Sequence, residues 1–320
     1  MSTPQSVTVE TGSRLHFGPL TNGLSRGRLF GGIGMMIDAP RVSLKVRRAG
    51  RDGIDCPLQH AEKVRRVLQR VRVSYDKLGP IELKVEAETE LHSGLGTGTQ
   101  LSVAIVEGML RLAGEISTPT RLFELSDRGK RSALGIHGFV SGGFLLDGGK
   151  RDPGSLGTLL ARLEVPEEWR ILLITPTDCS GLSGEAEAAA FQDLQAMPLS
   201  TTSELSRLVL LEILPALSEK DCSAFASALH EYGALVGDYF SEIQGGRYAH
   251  PAMRELVPWL RERNVAGTGQ TSWGPTMFAF FENGADASDI AESIESDPRW
   301  DGCTIRIARP LNRGAKIEMT

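Results

Sequence analysis

Seven consecutive residues constrain this chain most: Gly94-Leu95-Gly96-Thr97-Gly98-Thr99-Gln100. They follow a period-two segment, Ile81–Ala87, that reads as a strand, and lead into Thr99–Ala113, apolar on nearly every side and so a buried helix. Glycines let backbone N–H groups come close to an anion. The start of the helix adds unsatisfied donors and a positive dipole end. The run lacks the lysine of a P-loop, and it reads G-x-G-x-G rather than the G-x-G-x-x-G of a dinucleotide fold. It is a phosphate cradle or a tight strand-to-helix turn capped by threonine. Thr97 and Thr99 offer hydroxyls in either case.

Three further clusters have the same character. Near the start stand Ser13, Arg14 and His16, then Arg26 and Arg28, then Gly31-Gly32-Ile33-Gly34. Arginine suits bidentate recognition of phosphate or carboxylate. A histidine beside apolar residues is a structural histidine or a general acid or base. A second cluster, Arg128-Gly129-Lys130-Arg131-Ser132 through His137-Gly138, is a solvated basic loop or an anion contact. The third, Gly267–Thr276, holds Ser272-Trp273-Gly274 and precedes the apolar strand Met277–Phe281. Glu107 lies inside the buried helix, either on its one polar face or turned toward a metal at the loop.

The 40 acidic residues exceed the 35 Lys plus Arg among 320 residues, which argues against a nucleic-acid partner. A local arginine cluster around a phosphorylated small molecule stays open. Cys56, Cys179, Cys222 and Cys303 lie far apart, with no C-x-x-C pair, so neither a zinc site nor a disulfide framework is indicated. No apolar leader and no membrane-length segment occurs, so the expected place is a reducing cytoplasm. There is no H-E-x-x-H.

The pattern is mixed α+β. Strands are expected at Ser6–Thr11, Val42–Arg47, Arg170–Pro176 and Thr304–Ala308, with strand or hairpin at Gly138–Gly149. Helices are expected at His60–Val73, Gly184–Met197, Thr202–Leu217, Cys222–Phe240, Pro251–Arg263 and Ala287–Ser296. Leu146–Val165, rich in Gly, Pro and Asp, is the linker between a unit at 1–150 and one at 166–320.

Taken in order, the four clusters resemble the GHMP kinase superfamily, with its N-terminal motif, central P-x-x-x-G-L-G-S-S loop and C-terminal glycine-rich motif. Two departures point to a branch. Glu90 stands at the loop proline, and Thr97-Gly98-Thr99-Gln100 stands at Ser-Ser-Ala. The runs R-L-H-F-G, G-R-L-F-G-G-I-G, R-S-A-L-G-I, G-G-F-L-L-D-G-G and S-W-G-P-T are similar to those of the non-kinase β-ribofuranosylaminobenzene 5′-phosphate synthase branch. The resemblance implies an N-terminal ribosomal-protein-like α+β domain and a C-terminal ferredoxin-like domain. It implies a Mg²⁺-dependent homodimer in tetrahydromethanopterin biosynthesis. The reaction would condense 5-phosphoribosyl 1-diphosphate with 4-aminobenzoate, releasing CO2 and diphosphate. Gly94–Gln100 would then cradle diphosphate, with Thr99 and Glu107 as metal candidates. Ser13, Arg14, Arg26, Arg28, Arg131, Ser132, Ser272, Trp273 and Gly274 would contact substrates. His16 and His137 would be the acid–base candidates, and Trp273 or Phe17 would border the aromatic ring. The rival on the same fold is an ATP-dependent small-molecule kinase. A phosphometabolite-binding regulator is the alternative outside catalysis.

Overall fold

The computed structural model describes residues 4–23, 27–75, 78–87, 93–178 and 194–320. The first strand, β1 (Ser6–Pro19), runs well past the expected Thr11 because it changes face on the way. A bulge lies between Thr11 and Ser13 where β1 pairs with β2 (Gly32–Arg48). Before it, Val7 and Val9 join one core and the Thr11 hydroxyl reaches Gln100 at 3.1 Å. Beyond it, Leu15 and Phe17 enter a different core, and Arg14 and His16 turn toward the glycine loop. One inserted residue re-aims every side chain that follows, a use of bulges common beside binding sites. Gly12 stands at the bulge because a Cβ there would meet the Ile37 carbonyl oxygen at 1.9 Å.

β3 (Gly53–Asp55) and α1 (Ala61–Ser74) precede β4 (Ile81–Ala87). Next come α2 (Thr97–Leu112), α3 (Pro119–Ser126), α4 (Leu134–Ser141), β5 (Phe144–Asp147) and β6 (Leu159–Leu163). The first sheet runs β11-β1-β2-β4-β3, with β5 bridging β2 to β6 and β11 (Lys316–Met319) closing one edge. Helix α2 packs on this sheet with α1 beyond it, and Val64, Val67, Leu101, Ile105 and Met109 meet Leu44, Val46 and Leu83.

The second sheet is antiparallel in the order β10-β7-β9-β8, from β7 (Arg170–Pro176), β8 (Thr268–Gln270), β9 (Met277–Phe281) and β10 (Cys303–Ala308). That is the 4-1-3-2 order of a ferredoxin-like unit. Between β7 and β8 lie α5 (Leu199–Leu208), a π-helical turn at Val209–Ile213, α6 (Leu214–Glu219), α7 (Cys222–Gln244) and α8 (Ala252–Arg261). Helix α9 (Gly284–Glu295) joins β9 to β10. Leu15, Phe17, Met35 and Phe144 of the first sheet share one core with Trp169, Phe225, Phe278 and Phe280 of the second unit. The two units are thus joined by a common interior.

Three expectations are corrected. Leu146–Val165 is not a linker, because β6 within it pairs with β5 in the first sheet. The second unit ends near Ala308, not at residue 320, since β11 returns to β1. The first four residues of Gly138–Gly149 are helix, where Gly138 lets Met36 pack close: a Cβ would sit 2.6 Å from its sulfur. Most of the expected helix Gly184–Met197 lies outside the described residues.

Candidate active site

The two glycine loops meet. The Thr271 hydroxyl donates to the Gly94 carbonyl at 3.1 Å and accepts the His16 main-chain N–H at 3.0 Å. The Ser272 N–H donates to the His16 carbonyl at 2.8 Å, and the Arg14 N–H to the Leu95 carbonyl at 2.9 Å. Strand β1 is therefore stitched to the first loop at Arg14 and to the second at His16. A Cβ on Gly94, whose φ is +83°, would sit 2.7 Å from the Thr271 carbonyl oxygen and 2.8 Å from that of Gly274. Only glycine fits this contact.

Around the junction lies a cavity of about 330 Å³. Part of its lining is basic: Arg14 from β1, with Arg128, Lys130 and Arg131 from the α3–α4 connection. Asp127 borders it and pairs with Arg70 at 3.0 Å and Lys130 at 2.7 Å. Thr99 from the first turn of α2 and Ser132 add hydroxyls. The rest of the lining includes apolar side chains: Trp273, Phe30, and Val236 and Phe240 of α7. Trp273 and Phe240 pack with ring centroids 4.5 Å apart.

Gly96 caps α2 in the left-handed region, and no side chain caps that end. A Cβ on Gly96 would lie 3.3 Å from Arg14 Nε, and one on Gly135 would lie 3.4 Å from Arg14 Nη1. Two glycines thus leave the space that the guanidinium occupies, at the positive end of a helix dipole. Phe30, Asp127 and Ser272 all line the cavity with positive φ, at 65°, 59° and 56°. Non-glycine residues persist in that region only where their surroundings hold them there, and such strain gathers at functional sites.

The imidazole of His16 lines the cavity, and its Nδ1 is sealed from solvent with no hydrogen-bond partner. Burial first, and the neighbouring Arg14 after it, hold its pKa well below the ordinary 6.5. It is neutral at physiological pH.

Other expected site residues serve the layer behind this wall. His137 Nε2 is 2.9 Å from the Gly157 carbonyl, so that nitrogen is the donor and the ring is structural. Arg28 gives its guanidinium to the carbonyls of Gly148 and Gly149 and to the Thr158 hydroxyl. Ser13 donates to the Pro40 carbonyl at 2.6 Å. The Gln100 amide accepts from Thr11 and donates to the Gly135 carbonyl, so it ties β1 to α4 rather than facing an anion. Leu95 and Phe17 are core side chains. Glu107 pairs with Arg111 at 2.8 Å. It sits eight residues beyond Thr99, roughly 12 Å along the helix, too far to share a metal with the loop. Arg26 lies outside the described residues, as does Glu90.

The sequence reading did not select Phe30, Val236 and Phe240, whose apolar spacing is indistinguishable from core. Nor did it select Lys150. That side chain is buried and donates to the carbonyls of Gly129, Pro153 and Ser155, with the Phe30 and Phe123 ring centroids 5.9 and 5.6 Å from its Nζ. Its main chain pairs with Leu29, so it braces the Phe30 wall and the basic loop together.

This architecture and its paired glycine loops define a superfamily, and the comparisons agree. Residues 62–144 match the GHMP kinases N-terminal domain and residues 213–298 the GHMP kinases C-terminal domain. The chain belongs to the GHMP kinase superfamily. Among curated relatives, beta-ribofuranosylphenol 5′-phosphate synthase of Methanothermobacter thermautotrophicus is 29% identical over 89% of this chain and 92% of its own length. The protein of the same name in Archaeoglobus fulgidus is 27% identical over 98% of this chain and 100% of its own. Homoserine kinase of Cytophaga hutchinsonii shares the fold at a TM-score of 0.68 and 16% identity, covering 99% of both chains.

Proposed function

We propose that this enzyme is a decarboxylating phosphoribosyltransferase. It joins C1 of 5-phosphoribosyl 1-diphosphate to the carboxyl-bearing carbon of a para-substituted benzoate and releases CO2 and diphosphate. One observation carries the reading: the two glycine loops close on a single cavity lined by both basic and aromatic side chains. A polyanionic sugar and an aryl ring need that pairing. The relatives named as beta-ribofuranosylphenol 5′-phosphate synthases, similar along nearly the whole chain, support it. The acceptor is a benzoate with an electron-donating para group: 4-aminobenzoate by the sequence resemblance, or 4-hydroxybenzoate where the product is a phenol.

The residues divide the work. The start of α2 and Arg14 face the departing diphosphate, whose leaving requires charge stabilisation by donors already in place. Arg128, Lys130 and Arg131 take the 5-phosphate and the benzoate carboxylate. Trp273 and Phe240 form the slot for the ring. The described residues offer no cluster of three His, Cys, Asp or Glu for a metal. Mg²⁺ commonly keeps most of its waters and binds through phosphate oxygens with few protein ligands. The hard hydroxyl oxygen of Thr99 fits that mode and would hold the ion beside the diphosphate. Bound there, it would supply further neutralisation of the leaving group. The homodimer implied by the resemblance, and the cytoplasmic place expected from the sequence, belong to the same proposal. No described helix is long and apolar enough to cross a membrane.

The test supplies the purified protein and Mg²⁺ with either phosphoribosyl diphosphate or ATP, together with each benzoate. Diphosphate and an aryl riboside phosphate are expected from the first donor only. ADP with a phosphorylated acceptor, and no diphosphate, would make the protein a kinase.

A further inference from the structure

We infer that His16 is the base for the acceptor's para hydroxyl, and so decides how well a phenolic benzoate is used relative to an amino one. The inference rests on the reading of the cavity given above.

The placement is specific. His16 and Arg14 project from the same face of β1, two residues apart, so their Cα atoms are separated by roughly 6.6 Å. Arg14 is stitched to the phosphate loop, and His16 to Thr271 and Ser272, immediately before Trp273. The strand therefore carries an anion end and an aromatic end at a spacing comparable to the long axis of a benzoate. A ring in the Trp273–Phe240 slot, with its carboxyl-bearing carbon toward the phosphate loop, directs its para substituent to the His16 end. Nδ1 is sealed, so Nε2 is the nitrogen the cavity can reach. A proton on Nδ1 leaves the Nε2 lone pair available.

The step balances. The carboxyl-bearing ring carbon gives a π pair to ribose C1 as the C1–O bond to diphosphate breaks, and diphosphate leaves with that bond's electron pair. A lone pair on the para oxygen fills the ring's deficit, and the O–H proton passes to Nε2. The bond from ring carbon to carboxylate then breaks. Its electron pair restores the aromatic ring, the proton returns to the para oxygen, and CO2 departs. No oxidant is needed.

A neutral, weakly basic imidazole suits this task. The hydroxyl of the ring adduct is far more acidic than a free phenol, so a weak base suffices and is not already protonated when substrate arrives. Binding of the anionic donor offsets the charge of Arg14 and Arg131, which oppose a proton on His16. A para amine donates its lone pair without having to lose a proton, so it depends on His16 far less.

The experiment compares kcat/KM for 4-hydroxybenzoate and 4-aminobenzoate in the unmodified protein and in His16→Gln, with His16→Asn as the second variant. The expected loss is about 10²-fold for the hydroxy acid, the usual scale of a proton-transfer contribution, and several-fold or less for the amino acid. Equal losses with both acceptors would overturn the inference and leave the functional reading intact. Failure of the unmodified protein to turn over either acceptor would overturn both. If neither variant folds, the solvent isotope effect in the unmodified protein decides: an effect on kcat confined to 4-hydroxybenzoate supports the role, and its absence overturns it.

Discussion

His16 and His137 are both buried in the N-terminal unit, yet they live under different rules. His137 sits in the layer behind the cavity, where its ring meets a carbonyl 2.9 Å away. Around it Asp147 accepts two backbone N–H groups at 2.8 Å, while Lys150 and Arg28 spend themselves on carbonyls. His16 sits in the wall, with Nδ1 unsatisfied and its charge suppressed. Its neighbours Phe30 and Ser272 hold strained backbone. Buried polar groups are ordinarily satisfied. The His137 neighbourhood obeys that rule, and His16 in the wall departs from it where a ligand would complete the site. For these two histidines residue type does not separate function from support; the partner each ring finds does.

Five substitutions or conditions break or sharpen this contrast. The largest effect is expected at the seam: Gly94→Val drives a Cβ into two carbonyls at 2.7 and 2.8 Å. It should cost about 3 kcal/mol or more in denaturant unfolding and abolish turnover. A stable, active variant would mean the loops do not need this contact. Gly96→Val, where the nearest neighbour is the Arg14 side chain, should fold and lose affinity for phosphoribosyl diphosphate.

Next, His137→Leu orphans the Gly157 carbonyl and should cost roughly 1–3 kcal/mol while kcat per folded molecule holds. A large kcat loss at unchanged stability would move His137 into the wall. Trp273→Ala should raise KM for the aryl acid about tenfold, the scale of losing one buried aromatic face, with KM for phosphoribosyl diphosphate little changed. Equal effects on both would remove Trp273 from the acceptor slot.

The smallest effect is on pH dependence. The folded pKa of His16 lies below its unfolded value of 6.5. Above pH 6.5 neither state binds the proton, and the neutral ring contributes fully. As pH falls below 6.5 the unfolded chain takes up a proton that the folded one refuses, and stability is lost down to the folded pKa. The maximal slope is about 1.4 kcal/mol per pH unit. The unfolding free energy of the unmodified protein minus that of His16→Gln should therefore decline below pH 6.5. His230, also lowered by burial, cancels in that difference. A flat difference would mean that His16 is not held neutral.

Much of this was legible in the sequence, and the failures have physical causes. Helix α2 and its glycine loop stood out, because a buried helix after a G-x-G turn has few other readings. The meeting of Thr271 with Gly94 followed from expecting two glycine loops to share one ligand. The bulge in β1 was invisible: period-two alternation assumes a fixed face, and the insertion at Gly12 changes it. Phe17, expected beside the aromatic ring as an alternative to Trp273, packs instead with its ring centroid 5.2 Å from that of Phe278 in the core. Arg28, Ser13 and Gln100 carried plausible chemistry, but local sequence does not reveal which carbonyl a side chain meets across the fold. The return of β11 to β1 pairs Val7 with Met319, a contact between the two ends of the chain that no local window contains.

The central claim is that the wall of this cavity joins a phosphoribosyl donor to an aryl acid at the carbon that loses its carboxyl group. The most direct measurement uses carboxyl-labelled 4-hydroxybenzoate and 4-aminobenzoate with phosphoribosyl diphosphate and Mg²⁺, counting labelled CO2 against diphosphate. The account predicts equimolar release of both, dependent on donor and acceptor together. Diphosphate released with the label still in the aryl product, or no release while ATP is consumed, would contradict it.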